Sequence, residues 1–220
     1  MSDLERRYTL LPVERRGKEE RKIGGYAARF NLPSQNLGGF VEVVGESAFN
    51  RSRGNGWPRV VARFNHDNNM LLGTMQGGTL RLMVDDQGLD YEVDMPEART
   101  DVFELISRGD VDKSSFAFET LEDEWSVTDQ GFPMRTLHAV RLVDVSPVVE
   151  PAYIDSSVGL RSLAATVGAD LEEVRSAAAS NDLKRFLTRS DKTVAPRPKT
   201  LAASARMELL ARKSDPWANV

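Results

Sequence analysis

Two hundred and twenty residues, 40% of them hydrophobic, suffice for one good-sized domain with appendages or for two small domains, and a formal net charge of −4 argues against a nucleic-acid footprint spread over the whole protein. The absence of cysteine removes disulfides, thiolate nucleophiles and thiolate metal ligands together, while two distant histidines without a His-Glu-x-x-His motif argue against a catalytic zinc. No apolar run approaches the ~20 residues of a membrane span and the charged start "MSDLERRYTLLPVERRGKEERK" lacks a signal-peptide core, so the chain reads as soluble and intracellular, needing no cofactor, with Ser and Thr as its leading candidate nucleophiles.

Residues 1–21 read as a polar arm. "RKIGGYAARFN" predicts a first strand interrupted by a Gly pair, followed by the loop "LPSQNLGG", the short strand "FVEVV" and a turn into a brief helix at "GESAFNRS". "RVVARFNH" is the next strand, ending at His66, where apolar residues give way to turn formers. "MLLGTMQGGTLRLMVDDQGLDYEVDMP" predicts three antiparallel strands joined by Gly-Gly and Asp-Asp-Gln-Gly turns, with Leu80, Leu82 and Val84 on one face. Val102, Leu105 and Ile106 recur at helical spacing, with Gly109 as a C-cap. "VDKSSFAFETLEDEWSV", "FPMRTLHAV" and "VRLVDVSPVV" add further strands, turned at Asp129-Gln130-Gly131.

Beyond "EPAYIDSS" the character changes. Residues 169–188 are rich in Ala, Leu and alternating charge, 191–199 read as a Pro-broken linker, and 200–213 as another helical stretch. Residues 184–213 carry nine Lys/Arg against two Asp/Glu, either a solvated basic segment or a surface for an acidic partner. The chain therefore divides into an arm (1–21), a β-rich domain (22–160) and a helical, linker-like basic region (161–220).

Within "KSSFAFE", strand alternation puts Ser115, Ala117 and Glu119 on one face and Phe116 and Phe118 on the other. Two core phenylalanines anchor such a strand and leave a small hydroxyl facing outward. Serines beside strand phenylalanines are common, so the pattern alone does not make a nucleophile. A serine hydroxyl needs an imidazole to take its proton, and the imidazole needs an acceptor that fixes its tautomer. His66 and His138 are the available bases. Asp144, Glu150 and Asp67 are the available orienters, with Asp144 interrupting an apolar strand on the face of Val140 and Leu142, and Asp67 reading as a turn residue.

Seven segments in order resemble the prohead serine proteases of tailed phages, relatives of herpesvirus assemblin: "GYAARFN", "FVEVVGESAF", "VVARFNHD", "LLGTMQGGTLRLMVDDQGLDYEVDMP", "LISRGDVDKSSFAFE", "DEW" and "LVDVSPVVEPAY". The resemblance covers roughly 22–160. It implies an α+β fold built on a mostly antiparallel β-barrel of the herpesvirus-protease type, with a few peripheral helices and a helical C-terminal extension. His66 of "FNHD" matches the family's base and Ser115 of "SFAF" its nucleophile. Asp144 stands where the family commonly has Glu of Glu-Val-Ser, which makes it the expected orienter, while the second histidine of the herpesvirus enzymes keeps His138 as the alternative. Ala117 replaces a frequent Gly and narrows the space beside Ser115.

The resemblance further implies a maturation endopeptidase acting inside the immature prohead in the host cytoplasm. Its expected substrates are scaffold protein or scaffolding segments of the major capsid protein, and itself, with room for self-association. Arg141 and Arg161 read as surface arginines, with oxyanion assistance as the alternative, and residues from 169 onward as a packaging or self-cleavable tail. The rival readings are a catalytically inactive protease-fold scaffolding protein and a β-barrel binding module with no role in the shell.

Overall fold

The computed structural model describes residues 4–9, 11–17, 20–149 and 156–188. In chain order these form β1 (Leu4–Thr9), β2 (Glu14–Arg15), β3 (Lys22–Arg29), β4 (Val41–Val44), α1 (Asn50–Gly54), β5 (Val61–Arg63), β6 (Leu71–Thr74), β7 (Leu80–Val84), β8 (Gly88–Asp94), a 3-10 turn (Glu97–Arg99), α2 (Thr100–Arg108), β9 (Lys113–Val127), β10 (Pro133–Val148), α3 (Ser157–Val167), α4 (Leu171–Ala179) and α5 (Lys184–Leu187).

The long hairpin β9–β10 is the frame. It turns at Gly131, whose φ of 73° is one glycine adopts without strain. Its strands build a six-stranded sheet in the order β1-β9-β10-β5-β6, with β4 also pairing β10. β4 lies parallel to the first part of β10 and β5 parallel to its last part; the other pairs are antiparallel. A four-stranded antiparallel sheet, β2-β3-β8-β7, faces it. Ile23, Leu80, Leu89, Tyr91 and Val93 of this second sheet share one buried cluster with Phe116, Phe118, Leu142 and Val145 of the first. Removing each such large side chain from water stabilises the fold by about 1.5–3 kcal/mol.

The fold is α+β, with mostly antiparallel sheets and few helices. The expected closed barrel is not formed among the described residues: two open sheets take its place, ending at β1 and β6 in one and at β2 and β7 in the other. The chain crosses between them after β6 through a tight turn in which Gly78 N–H donates to the Met75 carbonyl (3.1 Å) and Gly77 N–H to Thr74 Oγ1 (2.8 Å); β6 and β7 belong to different sheets.

Other local expectations change in informative ways. The Gly pair does not interrupt the first strand: β3 runs through Gly24 and Gly25, where an added Cβ would come within 2.4 Å of the Tyr91 carbonyl and 2.7 Å of the Pro12 carbonyl. These glycines allow close backbone approach. α2 ends as its sequence predicts, on Gly109 in the left-handed region with φ 82°.

Residues 4–9, assigned to a polar arm by composition, are strand β1 and pair with β9 along its Ser114–Glu119 stretch. Composition misleads here because Glu5 and Arg7 are both buried, and their charges are met by partners distant in sequence. Arg135, fully buried, bonds Glu5 (2.7 Å), Glu42 (2.9 Å) and Asp123 (2.7 Å), and Arg7 bonds Glu42 and Glu5, each at 2.8 Å.

α3, α4 and α5 are not a detached extension. Leu160, Leu163, Val174, Ala177 and Leu183 form a second core with Leu37 and Phe40, against which Trp125 of β9 packs. Gly159 lets α3 settle on the Phe40 ring, where a Cβ would lie 2.7 Å from Cζ. Contacts group these helices, through Thr188, in one compact unit with the sheets. Residues 189–220, including the linker and helical stretch expected there, lie outside the described residues, as does Glu150. Among the described residues no helix is long and apolar enough to cross a membrane.

Candidate active site

Phe116 and Phe118 turn into the core with their rings stacked at a centroid distance of 4.9 Å, which commits Ser115 and Ala117 to the opposite face of β9. Ser115 lies opposite Ser146 of β10 on one side and Tyr8 of β1 on the other; Ala117 lies opposite Asp144 and Arg6. The face is not open, as alternation alone predicts, because Ser115 is only 1% exposed.

Asp144 reaches this face through an irregularity. Leu142 pairs with Phe118 and Asp144 with Ala117, leaving Val143 as an extra residue in β10. Regular alternation would put Asp144 on the apolar side with Val140 and Leu142; the bulge transfers it to the side of Ser115. Ala117, at the position where the resemblance leads one to expect Gly, sits directly across from this carboxylate and is itself fully buried.

His66 comes from the turn between β5 and β6. Asn65 and His66 both have positive φ, 52° and 57°, a conformation costing about 1–2 kcal/mol for an ordinary residue. Bonds to the end of β10 hold it there. Asn65 N–H donates to the Pro147 carbonyl (3.0 Å), Asn65 Oδ1 accepts from Val149 N–H (3.0 Å), and His66 N–H donates to Ser146 Oγ (3.3 Å). Asp67 accepts from Asn69 N–H (2.8 Å) and is a turn residue.

These three elements bring one imidazole between a hydroxyl and a carboxylate. His66 Nδ1 is 2.6 Å from Asp144 Oδ1, and Nε2 is 2.7 Å from Ser115 Oγ. A ring nitrogen facing an ionised carboxylate carries the proton, which leaves Nε2 as the acceptor toward serine. Asp144 is 1% exposed, and burying a lone carboxylate is costly. Here it is met by His66, by the Ser146 hydroxyl at 3.2 Å and by Arg63 Nη1, which donates to Oδ2 at 3.1 Å. The backbone carbonyl of Arg7, 2.8 Å from Ser115 Oγ, is a second acceptor that competes with Nε2 for the single hydroxyl proton.

His138 is not part of this cluster. It lies at a bulge of β10 and its Nε2 is 3.1 Å from Glu124 Oε2, near the surface. Arg141 bonds Glu119 at 2.9 Å on an exposed part of the hairpin, and Arg161 is exposed on α3. Sequence reasoning passes over Ser146, Arg63 and Asn65. Ser146 had a signal, since it stands two residues from Asp144 and so shares its face of the strand. Arg63 and Asn65 act through the turn geometry and the end of β10, which no local pattern announces.

A Ser–His–carboxylate chain of hydrogen bonds on a buried strand face is chemistry for acyl transfer. No curated protein and no solved structure matches this chain. A family profile does: that of the caudovirus prohead serine proteases, over residues 10–168, a span that takes in every side chain of the site. The chain thus belongs to the caudovirus prohead serine protease family.

Proposed function

We propose that the protein is a serine endopeptidase of phage capsid maturation in which Ser115 is the nucleophile, His66 the general base and then acid, and Asp144 the residue that holds the imidazole. The observation that carries the reading is the His66 ring joined at its two nitrogens to Ser115 and Asp144, at 2.7 and 2.6 Å. In this mechanism Ser115 Oγ attacks the scissile carbonyl carbon as its proton passes to His66 Nε2. The tetrahedral adduct then expels the amine, which takes the proton from the imidazolium, and water repeats the sequence to free the acyl group. Asp144 stays ionised throughout and accepts the Nδ1 proton.

The substrates that fit family membership are capsid-related: scaffold protein, or a scaffolding segment of the major capsid protein, and the enzyme itself, cut inside the prohead. The test is co-expression of the major capsid protein with wild type, Ser115→Ala, His66→Ala and the double variant, followed by intact masses over time. Members of one catalytic unit are non-additive. Processing should therefore stop in each single variant, and the double should be no slower than either. Continued cleavage by Ser115→Ala would refute the assignment.

A further inference from the structure

The Ser115 hydroxyl has one proton and two acceptors, His66 Nε2 at 2.7 Å and the Arg7 carbonyl at 2.8 Å. A hydroxyl that donates to a carbonyl is not donating to its base. Arg7 belongs to β1, an edge strand that runs antiparallel along the serine's own strand from Ser114 to Glu119. An extended backbone laid on the edge of the nucleophile's strand, with one carbonyl touching the hydroxyl, is the pose of a peptide recognised by strand addition.

Two more observations set β1 apart. Its residues precede the 10–168 span shared with the family, although every side chain of the site lies within that span. Its anchorage is also separable. The strand brings Glu5 and Arg7 together, a pair of no net charge; its withdrawal gives up Glu5–Arg135 (2.7 Å) and Arg7–Glu42 (2.8 Å), while Arg135 still has Glu42 (2.9 Å) and Asp123 (2.7 Å) as partners outside β1.

We propose that β1 is a built-in occupant of the position a substrate strand must take beside Ser115, so that the protein is latent while β1 is docked and active once it has left. The proposal rests on the protease reading above and adds to it a reason for the burial of Ser115, which is 1% exposed. β1 fills the edge of β9, its Arg7 carbonyl engages the hydroxyl, and the ion pairs of Glu5 and Arg7 hold the strand in place.

The absence of native cysteine allows a direct test. Leu4 and Glu119 face each other across the β1–β9 ladder, so Leu4→Cys with Glu119→Cys gives one reversible staple across it. The readout is the rate at which a fluorophosphonate labels Ser115, located by mass spectrometry, for the oxidised and reduced forms of this variant. Reactivity scales with the fraction of molecules in which β1 has left, so oxidation should slow labelling about tenfold or more. A Glu5→Gln chain, loosened at its anchor but able to dock, should label faster than wild type by about threefold or more. Equal rates in the oxidised and reduced forms, or a Glu5→Gln rate no faster than wild type, would overturn the latency while leaving the protease reading intact. No label on Ser115 in any of these folded proteins would overturn both.

Discussion

Ser146 stands directly opposite Ser115 across the β9–β10 ladder, and its hydroxyl lies 3.2 Å from both His66 Nδ1 and Asp144 Oδ1 while accepting from the His66 backbone N–H at 3.3 Å. One hydroxyl thus fixes the carboxylate and the turn that carries the imidazole. Ser146→Ala leaves that N–H without this acceptor and the carboxylate with one donor fewer. With His66 as the base of the proposed mechanism, the expected result is a fall in kcat of about tenfold with KM little changed, because the group positions that base. Ser146→Thr keeps the hydroxyl and should recover most of the loss. Steady-state kinetics on a peptide substrate check both.

Asp144 and Arg63 make separable contributions. Asp144→Asn keeps the volume but presents no full negative charge to the Nδ1 proton, and an equivalent change in serine proteases costs about 10⁴-fold in kcat. A similar loss is expected here, with the fold retained. Arg63 reaches the other carboxylate oxygen at 3.1 Å and is 24% exposed at its side chain. Its removal should cost about tenfold or less, since solvent screens a partly exposed charge. If Arg63→Gln were as inactive as Asp144→Asn, the guanidinium would have a direct part in the chemistry.

Much of the frame can be read from the sequence because it is written in local patterns. Phe116 and Phe118 at period two identify the core side of β9, and Gly109 marks the end of α2. The Asp-Gln-Gly turn is legible, although the two strands read after it are one bulged strand, β10. What escapes is non-local. The transfer of Asp144 to the face of Ser115 depends on one unpaired residue, Val143, and an alternating pattern read without its partner strand assigns the wrong side. β1 escapes for another reason. Glu5 and Arg7 look like solvated charges until Glu42 and Arg135, about 35 and 130 residues away, are folded against them. The turn at His66 is legible as a turn, but its left-handed backbone at two non-glycine residues is set by bonds to β10.

In the second sheet, the Tyr26 hydroxyl donates to Asp85 Oδ2 at 2.6 Å, while Gln87 and Gly88 N–H donate to Oδ1 at 2.8 and 2.9 Å. The Tyr26 hydroxyl, followed by these two amides, holds the Asp85 carboxyl below its usual range, and the Asp85 contact pushes the Tyr26 hydroxyl up to about 12. A depressed carboxylate stabilises the fold above its unfolded pKa and loses that effect as pH falls through the folded value. A raised phenol stabilises below its unfolded pKa and loses it as pH rises toward the folded one. The stability difference between wild type and Tyr26→Phe should be flat at about 1 kcal/mol in the neutral range. It should shrink below about pH 4 and again above about pH 10. Urea denaturation across pH measures it, and a difference unchanged at both extremes would show that the pair contributes nothing through ionisation.

Arg135 is fully buried and faces three carboxylates, of Glu5, Glu42 and Asp123, with Thr120 Oγ1 at 3.1 Å. Burial opposes its charge, yet Glu42 and Glu5, with Asp123, hold the guanidinium above its ordinary range. Among the described residues, Arg135→Ala would leave Glu5 and Glu42 with Arg7 as their other bonded cation and Asp123 with none. Breaking a buried pair by removing one partner costs about 3–5 kcal/mol, because the remaining charge stays desolvated. A loss of that size is expected in urea denaturation, large against the 5–15 kcal/mol stability typical of a domain. Arg135→Lys should recover only part of it, since one ammonium lacks the planar fork that serves several carboxylates at once. Full recovery by lysine would mean that charge alone, and not the geometry of the fork, holds β1, β4 and the β9–β10 hairpin together at this point.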